Sequence, residues 1–179
     1  MMFIGFGYLM VFLKTHCWAS IGFTFLIAAW TIQCTIVFLG FWNKVIIENS
    51  VTKINIDMPL LINGDFGAAA CLISMGAVLG KISFPQLFVL VTIETIFYTL
   101  NQTVVLDHLG AEDLGGSITI HMFGAYFGIV ASYFFKPQRG IEDKFKQGKS
   151  DYWSNLFTMV GTIIIFVYCP SFNAIFRDG

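Results

Sequence analysis

Charge is distributed along this chain as punctuation. Residues 17–42 contain no Asp, Glu, Lys or Arg, and residues 152–169 contain none either. Three more apolar runs, 58–80, 84–106 and 114–135, are interrupted by only Asp65, Glu94 and His121 respectively. A helix that crosses a bilayer needs roughly 20 mostly apolar residues, so each run has about the right length. Residues 1–13 form a shorter apolar stretch ahead of Lys14 and His16. The pattern predicts an all-α protein, a polytopic transmembrane helical bundle of about six spans with the first cut short, in a single membrane domain over 1–179. Pro85 falls where a first helical turn tolerates proline, and Pro170 is taken as the end of the last span.

Composition supports a membrane protein. Hydrophobic residues make up 56% and charged residues 12%, against about 25% charged in an ordinary soluble domain. Net charge is −1 with no basic cluster of the kind nucleic acid requires, so a nucleic-acid partner is not expected. Cys17, Cys34, Cys71 and Cys169 lie in or beside apolar runs without CxxC spacing, which fits small buried hydrophobes better than a disulfide framework or a zinc site. The N-terminus lacks the basic start of a signal peptide. No nucleophile turn, paired metal ligands or carboxylate dyad points to an enzyme, and no cofactor is implied.

The polar breaks set an expected topology. If spans alternate, the breaks at 14–16, 81–83 and 136–151 share one side. They hold Lys14, Lys81, Lys136, Arg139, Lys144, Lys146 and Lys149, seven of the ten basic residues. The excess of Lys and Arg makes that side cytoplasmic, with the loops 43–57 and 107–112 outside.

Ionisable groups inside spans cost roughly 2.5 kcal/mol or more to insert and usually face a bundle interior or a solute path. His121 is therefore the leading candidate. Ser117, His121, Gly124 and Gly128, spaced 4, 3 and 4, are expected to share one helical face, and such a polar, small stripe faces protein or a lumen. The glycine pairs Gly76/Gly80 and Gly124/Gly128 permit close helix contact. Asp113, ahead of Gly115-Gly116-Ser117, is placed to cap the fifth span by accepting N–H groups two and three residues on. It lies eight residues before His121, roughly 12 Å along a helix, too far for direct proton transfer. Asp65 is a candidate cap for the third span. Glu94 lies mid-span and needs a partner. Phe172, after the break at Pro170, is a candidate cavity-lining residue, and His16 and His108 fall in solvated loops. Asn101-Gln102-Thr103 has the form of a glycosylation acceptor but sits within an apolar run.

Several strings in order, Met2-Phe-Ile-Gly-Phe-Gly-Tyr-Leu-Met10, Ile62-Asn-Gly-Asp-Phe66, Gly76-Ala-Val-Leu-Gly-Lys81, Asp113 to Gly128 and Pro170-Ser-Phe-Asn173, resemble the Rh branch of the ammonium transporter family over essentially the whole chain. The resemblance implies part of a larger helical fold that assembles as a homotrimer or Rh-type heterotrimer in the plasma membrane. It implies a narrow hydrophobic pore through each protomer, passing ammonium or ammonia and in some members carbon dioxide. It further implies that Phe66 and Phe172 close the outer mouth, that His121 is the first of two pore histidines, and that Asp113 organises the outer vestibule. Aromatic faces at a mouth offer a cation–π site, and neutral imidazole in a dry pore replaces lost water for a small solute while a bare ion is penalised. Where many relatives carry an acid, this chain has Gln102 and Asn155. A leading helix and the second half, which carries the other pore histidine, are expected beyond these residues. The competing expectation is a non-conducting Rh-type subunit serving assembly, for which His121 and the two phenylalanines have no evident use.

Overall fold

The computed structural model describes residues 1–13, 17–50, 53–135 and 150–175. Among them, helix α1 spans Met2–Leu9 and tightens into a 3₁₀ turn at Met10–Phe12. It is followed by α2 (Cys17–Trp42), α3 (Met58–Val78), α4 (Phe84–Gln102), α5 (Phe123–Phe134) and α6 (Tyr152–Asn173). Five continuous helical stretches are long and apolar enough to cross a membrane: Trp18–Ile47, Met58–Val78, Phe84–His108, Ser117–Phe134 and Tyr152–Asn173. With the short Met2–Phe12 helix they make the expected bundle. The polar segments 14–16 and 136–149 lie outside the described residues, and with them most of the charge that sets the expected topology.

Three of the spans, Trp18–Ile47, Phe84–His108 and Tyr152–Asn173, reach beyond the ends of their apolar runs. Wide π-helical turns extend α2 through Asn43–Ile47 and α4 through Thr103–His108, and another, Ser117–Met122, leads into α5. The expected loops at 43–57 and 107–112 therefore begin as helix. Side chains make this possible: the Thr103 hydroxyl donates to Asn43 Oδ1 at 3.0 Å, joining the two extensions, and Lys44 pairs with Glu48 one turn on. Asp57, not Asp65, caps α3, accepting the Leu60 N–H at 2.9 Å; Asp65 sits within the helix. Pro85 does sit in the first turn of α4, where Gln86 Oε1 accepts from the Ser83 N–H and hydroxyl. Asp151 and Ser154 cap α6 reciprocally.

Helix α3 is the centre of the bundle. It packs on α2, α4 and α5, while α1 lies between α2 and α6. Phe66 to Leu72, Met75 and Val78 are all buried. The central position follows from side-chain size: with no hydrophobic drive between helices in lipid, contact depends on close backbone approach through small residues. A Cβ on Gly124 would lie 2.7 Å from the Ala70 carbonyl oxygen, and one on Gly128 would lie 3.0 Å from Ser74 Cα. Gly124 and Gly128 thus seat α5 directly on α3. Gly80 does not join Gly76 in a packing stripe; it follows the end of α3 at φ +79° and turns the chain. At the other extreme, only 6% of the most apolar part of α6 is buried, and Trp153, Met159, Ile163 and Phe166 point outward, as suits a lipid face.

Two expectations about buried polarity meet definite outcomes. Glu94 is fully buried, and its partner is the Ser74 hydroxyl of α3. The described cysteine side chains, Cys34, Cys71 and Cys169, are buried or half-buried thiols without disulfides. His108 is exposed, and His16 lies outside the described residues.

Candidate functional site

The site is built from a glycine turn. Gly115 (φ +88°) and Gly116 (φ +70°) both adopt the left-handed region, which an L side chain enters only at a cost of about 1–2 kcal/mol per residue. This reverses the chain so that the Gly116 N–H reaches the Asp113 carbonyl at 3.0 Å. The Asp113 side chain is thereby carried over the start of the wide turn. Its Oδ2 accepts the Thr119 N–H at 2.8 Å and the Thr119 hydroxyl at 2.9 Å, and both oxygens lie 3.1 Å from the Ile118 nitrogen. Asp113 is therefore a cap, but for N–H groups four to six residues on, because the glycine pair inserts a turn before the helix begins. Burial alone would raise its pKa. The N–H groups of Thr119, Ile118 and Ser117 and the Thr119 hydroxyl outweigh that and hold the carboxyl below its usual range.

The same wide turn sets His121. Its N–H reaches the Gly116 carbonyl at 2.9 Å, an i to i+5 bond, and its ring Nδ1 lies 3.0 Å from the same oxygen. A carbonyl oxygen only accepts, so this contact places the proton on Nδ1 and leaves Nε2 as the outward-facing ring nitrogen. The wide turn also changes the phase of the helix. Ile120, Gly124, Gly128 and Ala131 form the buried stripe, while Ser117 and His121 are exposed. The expected single face of Ser117, His121, Gly124 and Gly128 is thus split, because a π-turn advances each residue through a smaller angle than an α-turn.

Above this helix start lies a cavity of about 450 Å³. Asn63 and Phe66 of α3, Tyr98 and Gln102 of α4, the Asp113–Gly116 turn with Thr119, and Asn173 of α6 line it. Gln102 Nε2 donates to Asn63 Oδ1 at 2.8 Å. Gln102 Oε1, Tyr98 Oη and Asn173 Oδ1 are buried and have no hydrogen-bond partner among the described residues. Unsatisfied buried oxygens are uncommon, and three around one cavity give it the character of a site that binds a hydrogen-bond donor.

Phe66 and Phe172 come together: their ring centroids are 4.7 Å apart with planes inclined at 74°. Helix α6 does not stop at Pro170 but runs through it to Asn173, which presents Phe172 to α3 and Asn173 to the cavity. Ser171 bonds the Tyr168 carbonyl at 2.9 Å and the Ala174 N–H returns to the Pro170 carbonyl at 3.1 Å, so local bonds carry the helix past proline. The structure therefore gathers Phe66, Phe172 and Asp113 at one end of the bundle and leaves His121 on an adjoining outer face. Asn63, Tyr98 and Asn173 are cavity residues to which the sequence assigned no role. The signal available was polarity: Asn63 and Tyr98 carry a polar group within an apolar run, while Asn173 falls beyond the expected end of the last one.

The model of the ammonium transporter family matches residues 1–176. This chain belongs to the ammonium transporter family. It is 46% identical over 175 residues to Ammonium transporter Rh type B of Gorilla gorilla gorilla, and 45% identical to that of Homo sapiens and of Bos taurus. Each of these alignments covers 97% of this chain and 37% of the relative. The chain thus spans just over a third of the length of the curated relatives it matches. Members of that family are transporters of the membrane rather than enzymes.

Proposed function

We propose that these residues supply the outer vestibule, the aromatic gate and the first pore histidine of a channel for ammonium and ammonia. The contact between Phe66 and Phe172, beside a largely apolar cavity whose wall includes Asp113 and a few polar side chains, is the observation that carries this reading. A cation entering the cavity meets the negative Asp113 and the unpartnered oxygens of Gln102, Tyr98 and Asn173, which accept its N–H groups. The aromatic rings beside it add a cation–π attraction. Beyond them an ion pays a large desolvation cost, whereas the neutral amine pays little. His121, its Nδ1 proton engaged with Gly116, offers Nε2 to a passing donor. No covalent step is involved.

Orientation, assembly and location belong to the same proposal. The breaks at 14–16, 81–83 and 136–151 face the cytoplasm, the vestibule faces out, and the protein works as a homotrimer or Rh-type heterotrimer in the plasma membrane. The exposure of His121 supports a pore wall completed by further chain, so vesicles containing only these 179 residues should show no ammonia flux. The deciding test is His121→Ala in the intact protein in proteoliposomes, with ammonium/ammonia and carbon dioxide fluxes measured side by side. Loss of ammonia flux supports the reading. Loss confined to carbon dioxide would assign that gas as the solute, unchanged flux of both would count against the pore role of His121, and no flux even in the unsubstituted protein would favour a non-conducting assembly subunit.

A further inference from the structure

Glu94 takes no part in the vestibule, yet it is fully buried midway along a membrane-spanning helix. It forms no ion pair among the described residues. Its neighbours on α4, Val91, Thr95 and Tyr98, are fully buried as well. A bare carboxylate in such a place is among the most costly groups a protein can hold.

The hydrogen count around Ser74 decides its form. The Ser74 hydroxyl touches Glu94 Oε1 and lies 2.9 Å from the Gly124 carbonyl oxygen and 3.4 Å from that of Ala70. It has one proton to give, and carbonyl oxygens can only accept. If Ser74 donates to Gly124, the contact with Glu94 is a hydrogen bond only when Glu94 brings the proton. If Glu94 were ionised, Ser74 would turn toward it and leave the Gly124 contact as two facing oxygens. Glu94 Oε2 makes no regular hydrogen bond among the described residues, with only the weak Cys71 thiol donor beside the carboxyl; that is tolerable for the carbonyl oxygen of a neutral acid and costly for half of a carboxylate.

We propose that Glu94 is a neutral carboxylic acid that donates to Ser74, which in turn donates to Gly124, and that this chain from α4 through α3 to α5 makes Glu94 a positioning residue for His121. Gly124 lies three residues after His121, and its lack of a side chain brings its backbone down onto Ala70 and Ser74. The relay holds the height and rotation of α5 where the wide turn ends, and hence the direction of the imidazole. Tyr98, one turn along α4 from Glu94, adds an edge-to-face contact with Phe123 on the same side of α5.

The positioning role rests on the transport reading; the protonation state does not. The test uses the intact protein in bilayers, as wild type, Glu94→Gln, Glu94→Ala, Ser74→Ala and the Glu94→Ala/Ser74→Ala pair. Infrared difference spectra of wild type against Glu94→Gln at neutral pH should contain the C=O stretch of one protonated carboxyl. Its absence overturns the neutral acid whether or not the protein transports. An amide donates to Ser74 as the acid does, so Glu94→Gln should keep ammonia flux within about twofold of wild type. Glu94→Ala and Ser74→Ala should each lower it roughly tenfold, and the pair no further, since both break one chain. A Gln variant as impaired as the Ala variant, or additive losses in the pair, would overturn the positioning role. If wild type shows no flux at all the transport reading fails, and the infrared result still decides the state of Glu94.

Discussion

Phe66 of α3 and Phe172 of α6 meet edge to face with centroids 4.7 Å apart. Helix α6 otherwise lies against α1 with little of its surface buried, so this pair ties the end of a peripheral helix to the central one. Edge-to-face pairs contribute about 0.5–1.5 kcal/mol beyond their buried area. A double-mutant cycle of Phe66→Leu and Phe172→Leu, followed by unfolding in detergent, should return a coupling of that size. Strictly additive losses would show that the rings do not interact.

Gly124 tests the seating of α5. A Cβ there meets the Ala70 carbonyl at 2.7 Å, a backbone atom that cannot swing aside. Gly124→Val should destabilise the protein by about 1–3 kcal/mol through overpacking. Gly22 in α2 is the control, because a Cβ there meets nothing within 4 Å. Gly22→Ala should be neutral or raise stability by up to about 1 kcal/mol through helix propensity. Equal effects at both positions in thermal melts would refute the close contact.

Asp113 predicts a sign for acid sensitivity. Its native pKa lies below the unfolded value because backbone N–H groups and Thr119 favour the charged form. The stability it contributes is complete above the unfolded carboxylate range, about pH 4, and is lost as pH falls through the lower native value. Asp113→Asn should therefore lower stability at neutral pH and flatten its dependence on acid. Protection of the Ile118 and Thr119 amides against hydrogen exchange, relative to the intrinsic rate at each pH, reads this locally: in the wild type it should fall on acidification, and in the variant it should be low throughout. A variant as acid-sensitive as wild type would remove Asp113 as the cause.

Gln102 makes the vestibule less negative than an acid would. On the transport reading, Gln102→Glu should raise ammonium capture roughly tenfold at low ionic strength, and the gain should vanish in salt as the Debye length shortens to about 10 Å at 0.1 M. Flux measured against salt concentration separates this from a simple gain in pore opening, which salt would leave intact. No gain at low salt would mean that position 102 does not feel the passing ion.

Much of the fold was legible because membrane spans announce themselves by length and lack of charge. The runs at 17–42, 58–80, 84–106, 114–135 and 152–169 each hold a helix long enough to cross a membrane. Their ends were less legible. Asn43–Ile47 and the residues 107–108 read as loop, yet they stay helical, with Asn43 and Thr103 bonding each other across the two extensions. Pro170 looked like a stop, but helix α6 continues past it on local bonds.

By itself the sequence determined the helical membrane class, the family, and which residue types are too costly to sit in lipid without a purpose, because composition and spacing act locally. Tertiary structure alone decided which of those residues meet. It placed Asn63, Tyr98, Gln102 and Asn173 around one cavity, gave Glu94 its partner in Ser74, and turned His121 away from the glycine stripe. The last outcome depends on two left-handed glycines and one π-turn. The phase error of a single wide turn is enough to move a side chain from one face of a helix to the next.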